Sequence, residues 1–127
     1  MKVLNHIERL GLTVVMAAVL AKDTLVKLTA NETVNKGAAG AIAIGFVRVE
    51  AKEVGGKGTV ETFFSALIEI KGVGNCPFGT HVKLGAPDGT TGENTAVPWD
   101  SANDSPTLIL GLVFKGGNNT TLKVLVP

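Results

Sequence analysis

Residues 79–89 read GTHVKLGAPDG, and residues 23–32 read DTLVKLTANE. A shift of 56 residues superimposes Thr24 on Thr80, Val26 on Val82, Lys27 on Lys83, Leu28 on Leu84 and Ala30 on Ala86. In each copy valine and leucine flank a lysine with period two, the mark of a strand with one face in a core, and polar turn residues follow. The repetition continues. Gly45 in IGFV answers Gly111 in LGLV, with about ten extra residues in the second copy, and GGKGT at 55–59 answers GGNNT at 116–120. Each half reads strand, polar turn, strand with a central glycine, Gly-Gly turn, strand. Neither meander buries both faces alone, so the two are expected to close on each other as a small barrel or sandwich.

Composition agrees with an all-β chain. Of 127 residues, 45% are hydrophobic and 18% charged, with 16 glycines and no tyrosine, which suits strands and tight turns better than solvated helices. The length fits a single β domain over residues 1–127, divided into an N-terminal arm (1–11), a first half (12–72) and a second half (73–127) with a long loop at 85–106. A formal net charge of +1 offers no basic field for nucleic acid and no pull towards anionic membranes. A single cysteine, Cys76, makes no internal disulfide. LTVVMAAVLA at 12–21 imitates a secretory signal, but Glu8 interrupts the basic lead. The run is also too short to span a bilayer, so it is expected to be a strand or buried segment.

Along the chain, Val3, Ile7 and Leu10 fall three or four apart, the spacing of one or two amphipathic helical turns before Gly11. AIAIGFVRVE at 41–50 changes phase beside Gly45, predicting a bulge or sharp bend there. Val60, Thr62, Phe64, Ala66, Ile68 and Ile70 form the longest alternation and read as one strand.

The reactive side chains are sparse. Cys76 and His81 are five apart with no orienting acid at a usable spacing, so a structural role is expected for both. His6 has no companion, and a zinc site is not expected. Asp88, Glu93, Asp100 and Asp104 lack the spacing of a calcium loop and read as turn residues that bond their own backbone. Phe78 and Trp99 lie between glycines and prolines, where an aromatic is either a core plug or an interface anchor; the sequence leaves both open. No catalytic, cofactor-binding or metal-binding residues are assigned, and the chain does not read as an enzyme.

Taken together, DTLVKLT, IGFV and GGKGTV, then FGTHVKLG, DGTTG, ILGLVF and TTLKVLV, resemble the head-decoration or cement proteins of tailed bacteriophages. DGTTG before LGLVF is similar in style to the lambda-type decoration proteins, and the doubled VKL phrase resembles the wider β-tulip cement family. The resemblance runs from about Leu12 to Val126. It implies a β-tulip barrel and a homotrimer on the outside of the virion head, assembled in the host cytoplasm, bridging capsomers of the major capsid protein. It makes Val3, Leu4, Ile7 and Leu10 of the arm, with Phe78 and Trp99, the candidates for a capsid or subunit interface. Removing residues 1–11 is then expected to leave a folded trimer that no longer decorates heads. The alternative is a surface or tail-associated carbohydrate-binding module that uses the Trp99 loop.

Overall fold

Short runs of branched residues between glycine-rich turns give short strands. The computed structural model describes residues 1–6, 11–62 and 66–127 and contains thirteen of them. They are β1 (Lys2–His6), β2 (Gly11–Met16), β3 (Leu25–Ala30), β4 (Thr33–Lys36), β5 (Gly45–Val49), β6 (Lys57–Thr62), β7 (Ala66–Gly72), β8 (Asn75–Cys76), β9 (His81–Leu84), β10 (Thr95–Pro98), β11 (Gly111–Lys115), β12 (Gly117–Asn118) and β13 (Thr121–Val126). The one helical piece among the described residues is a 3-10 turn at Pro106–Leu108, capped by the Ser105 side chain.

The strands close into two barrels. In the first, the order around the ring is β2-β4-β3-β5-β6, with β6 pairing back onto β2. In the second it is β7-β10-β9-β11-β13, with β13 pairing back onto β7, and β1 adds to the edge of β7 that β10 leaves free. Each ring has one parallel pair, β2 with β4 and β7 with β10, and four antiparallel ones. Closure removes the free strand edges that would otherwise pair with other chains.

The two barrels have the same topology, and the match extends to single residues. Val26 lies opposite Gly45 as Val82 lies opposite Gly111, and Leu28 opposite Val34 as Leu84 opposite Ala96. Backbone hydrogen bonds repeat as well. Val47 N–H donates to Thr24 C=O at 2.9 Å and Val113 N–H to Thr80 C=O at 2.8 Å; Gly37 N–H donates to Leu25 C=O at 2.8 Å and Trp99 N–H to His81 C=O at 3.1 Å. Asp23 and Gly79, at equivalent positions before the repeated strand, both have positive φ. The repeated VKL phrase therefore marks one structural unit written twice.

The paired glycines of that unit have a steric reason. A Cβ on Gly45 would run into the backbone carbonyl of Glu61, and one on Gly111 into that of Leu125; Glu61 and Leu125 are themselves equivalent. Elsewhere bulk is exchanged between the copies. Met16 on β2 lies over Gly58 on β6, whereas in the second barrel Leu122 on β13 lies over Gly72 on β7.

Several expectations are revised. The N-terminal segment is strand β1 rather than helical turns, because residues 2–6 pair antiparallel with Ala66–Glu69 across a bulge at Leu4, and Met1 and Val3 pack on the core. The alternation through 60–70 is two strands in different barrels, so β7, grouped by sequence with the first half, bonds with the second. The segment 85–106 contains β10, which completes the second ring. The bulge in β5 falls between Val47 and Val49, beyond Gly45. The apolar run at 12–21 is buried as expected, through Val14, Met16 and Leu20.

Two cores result. One fills the first barrel with Val14, Met16, Val26, Val34, Val47 and Val60. The other fills the second barrel and takes in Leu25 and Phe46 from the outside of the first, so the barrels share apolar contact rather than only a covalent linker.

Candidate interaction surface

Where each barrel turns its outward side chains decides what this molecule can touch. On the first barrel Leu25, Phe46 and Glu61 stand opposite one another across β3, β5 and β6, and all three are buried. Leu25 and Phe46 join the core of the second barrel, and the mouth of that barrel lies against Leu25. Leu84 lies where a side chain on Gly37 would go, and Asn94 accepts from Leu25 N–H at 2.9 Å and donates to Leu25 C=O at 3.4 Å. A buried amide with both polar atoms engaged is a stable seam element. Glu61, 1% exposed, pairs at 2.5 Å with the half-exposed Arg48, which compensates the buried carboxylate.

The equivalent row on the second barrel is exposed except at Leu67, which is half-buried. Leu67, Leu125, Leu112 and His81 stand opposite one another across β7, β13, β11 and β9. Leu112 is 37% and Leu125 42% exposed, and His81 is exposed. The mouth of the first barrel is bare too: Leu28, the counterpart of Leu84, is 58% exposed, and Glu32, the counterpart of Asn94, is exposed. Isolated exposed leucines need no explanation, but a row of leucines across three adjacent strands, ending in His81 on a fourth, marks a surface of contact.

Trp99 sits at the end of this row. Its ring meets His81 edge-on with centroids 5.9 Å apart, and its Nε1–H donates to Ser105 C=O at 3.0 Å. It is partly buried, so it is neither a core plug nor a free platform. The loop behind it is braced: Lys83 pairs with Asp104 at 2.7 Å, Asp104 accepts from Asp100 N–H, and Asp100 accepts from Ala102 N–H and the Asn103 amide. Phe78, 80% exposed, is a single projecting ring in the turn before β9. Of the arm candidates, Val3 packs on the second core and Leu4 is exposed at the β1 bulge. Ile7 and Leu10 lie outside the described residues. The structure thus brings Trp99 to an apolar face and leaves Phe78 and Leu4 as separate projections. Sequence reasoning missed Leu112 and Leu125, although each alternates with buried Val113 and Val124 and so announces an outward apolar position.

The remaining polar groups act as braces. Asp88 pairs with Lys71 and accepts from Thr90 and Thr91 N–H. The Lys71 bond first, then the Thr91 and Thr90 amides, hold its carboxyl below the usual carboxylate range. The Asn103 amide does the same for Asp100, and the Lys83 ammonium for Asp104. Cys76 is buried in the second core, and that burial pushes its thiol up, away from the reactive thiolate. Among the described residues no three His, Cys, Asp or Glu side chains converge as metal ligands, and no helix is long and apolar enough to cross a membrane.

No protein-family model matches the chain, and no curated protein matches it. Among solved structures, the chain is similar in fold to the N base of the head fiber protein gp8.5 of bacteriophage phi29. That likeness has a TM-score of 0.58 at 15% sequence identity and covers 93% of each chain.

Proposed function

We propose that this chain is a structural protein of a bacteriophage head, bound to the outer surface of the capsid as a homotrimer and stabilising contacts between capsomers of the major capsid protein. The observation that carries the reading is the fold likeness to a head-fiber base over 93% of both chains. The bare apolar row beside Trp99 supports it, because adhesion requires surface of that kind. The mechanism is physical: several modest apolar contacts made at once by linked subunits give an avidity that no single contact supplies. Trp99, Phe78 and Leu4 are the anchors proposed for capsid or subunit contact, with Ile7 and Leu10 added from the sequence; Val3, packed on the second core, holds the strand that presents Leu4.

The test is to add purified protein to heads that lack it and measure bound mass by sedimentation and by electron microscopy. Saturable density at regular sites on the shell is expected. Absence of binding at saturating protein refutes the reading.

A further inference from the structure

We infer that the bare row on the second barrel, His81, Leu112 and Leu125 with Trp99 beside it, is the docking site for the Leu28 mouth of the first barrel of another copy of this chain. The inference starts from the duplication. Within one chain, the outward row of the first barrel (Leu25, Phe46, Glu61) is buried; Leu25 and Phe46 share a core with Leu84 of the second barrel's mouth, and Asn94 bonds the Leu25 backbone. Two equivalent barrels carry two rows and two mouths, so one internal seam leaves one row and one mouth unused. These are the row of the second barrel and the mouth of the first; each exposes leucine, Leu112 and Leu125 on the row and Leu28 at the mouth, beside one polar side chain, His81 and Glu32. The unused pair stands in the same structural relation as the used pair, position for position: Leu112 for Phe46, His81 for Leu25, Leu28 for Leu84.

The polar positions have diverged in a complementary way. Where the internal seam sets Asn94 against the Leu25 backbone, the external one brings the Glu32 carboxylate to the His81 backbone, whose N–H takes the place of Leu25 N–H as the donor. Trp99 stands at the position of Gly37, which in the internal seam leaves room for Leu84, so Leu28 packs beside the indole rather than in the same notch. The external contact is therefore a variant of the internal seam, with an aromatic anchor of the kind that dominates interface energies. It joins two different surfaces, so it is heterologous and runs head to tail, closing into a ring when the rotation between copies permits. The closure number rests on the trimer proposed above; the contact itself rests on the duplication.

Sedimentation equilibrium of Leu28→Asp, Leu112→Asp and their equimolar mixture tests this. Both side chains are exposed, so both variants should keep the wild-type circular dichroism; should Leu112→Asp not fold, Leu125→Lys takes its place. Wild type is expected as a trimer and each variant alone as a monomer, a threefold loss of mass. The mixture should recover a dimer and nothing larger, because the intact row of one variant meets the intact mouth of the other and the ring cannot close. The mixture is read at the highest concentration at which each variant alone is monomeric. Variants that keep the trimer mass overturn the contact while leaving the trimer standing, as does a mixture that stays monomeric. A monomeric wild type overturns both, with head binding still decided by its own experiment.

Discussion

Gly45 and Gly111 are the two residues at which the repeat can be read most directly. Each lets a neighbouring strand's carbonyl approach closer than any side chain allows. Gly111→Ala is expected to cost about 1–3 kcal/mol, since the clash is with backbone rather than a flexible side chain. A lowered urea midpoint with an unchanged slope checks it. The sequence exposed this pair because glycine is an unambiguous letter. It did not expose Glu61, which by alternation faces water and is in fact 1% exposed; burial of an outward strand position is a tertiary effect that no local pattern carries. Arg48→Ala is expected to destabilise by about 1–2 kcal/mol, because it weakens the compensation of a buried carboxylate whose partner is half in water. A Glu61→Gln background should make the same change nearly neutral, as a double-mutant cycle would reveal.

Among the elements, β3 and β9 were legible because a valine-lysine-leucine phrase recurs, whereas β1 was not. Its apolar residues have helical spacing, and only pairing with β7, distant in sequence, makes it a strand. β10 was hidden by Pro98 and by the turns on either side of it. Because β1 carries Met1 and Val3 onto the second core, truncation of residues 1–6 is expected to lower thermal stability, contrary to the picture of a detachable arm. A truncated chain that melts with the wild type would restore that picture. The loops flanking β10 depend on ionised Asp88, Asp100 and Asp104. Their folded pKa values are lowered, so the stability they contribute is present above the unfolded-chain value of about 4 and is lost as pH falls through the lower folded values. Denaturant midpoints should therefore decline below about pH 4, and Asp88→Asn should lower the neutral-pH midpoint and flatten that decline.

At the scale of the whole molecule, the sharing of Leu25 and Phe46 with the second core couples the barrels. Unfolding is expected as one transition, with Trp99 fluorescence, which reports the second barrel, coinciding with far-ultraviolet circular dichroism, which reports both. Leu25→Ala should cost about 2–5 kcal/mol and separate the two signals. Coincident curves in that variant would mean that other contacts hold the barrels together. The duplication was legible in sequence as a whole. The place where one barrel ends and the next begins was not, since β6 and β7 read as a single run.

A chain that contains two interchangeable sets of strands faces a sorting problem as it folds. The exchanged bulk at Met16 over Gly58 and Leu122 over Gly72 answers it. Were β2 and β7 to trade places, one ring would receive Met16 against Leu122, a collision, and the other Gly72 against Gly58, a void. Each strand thus carries an address legible only in its own ring, and kinship between the halves does not become confusion between them.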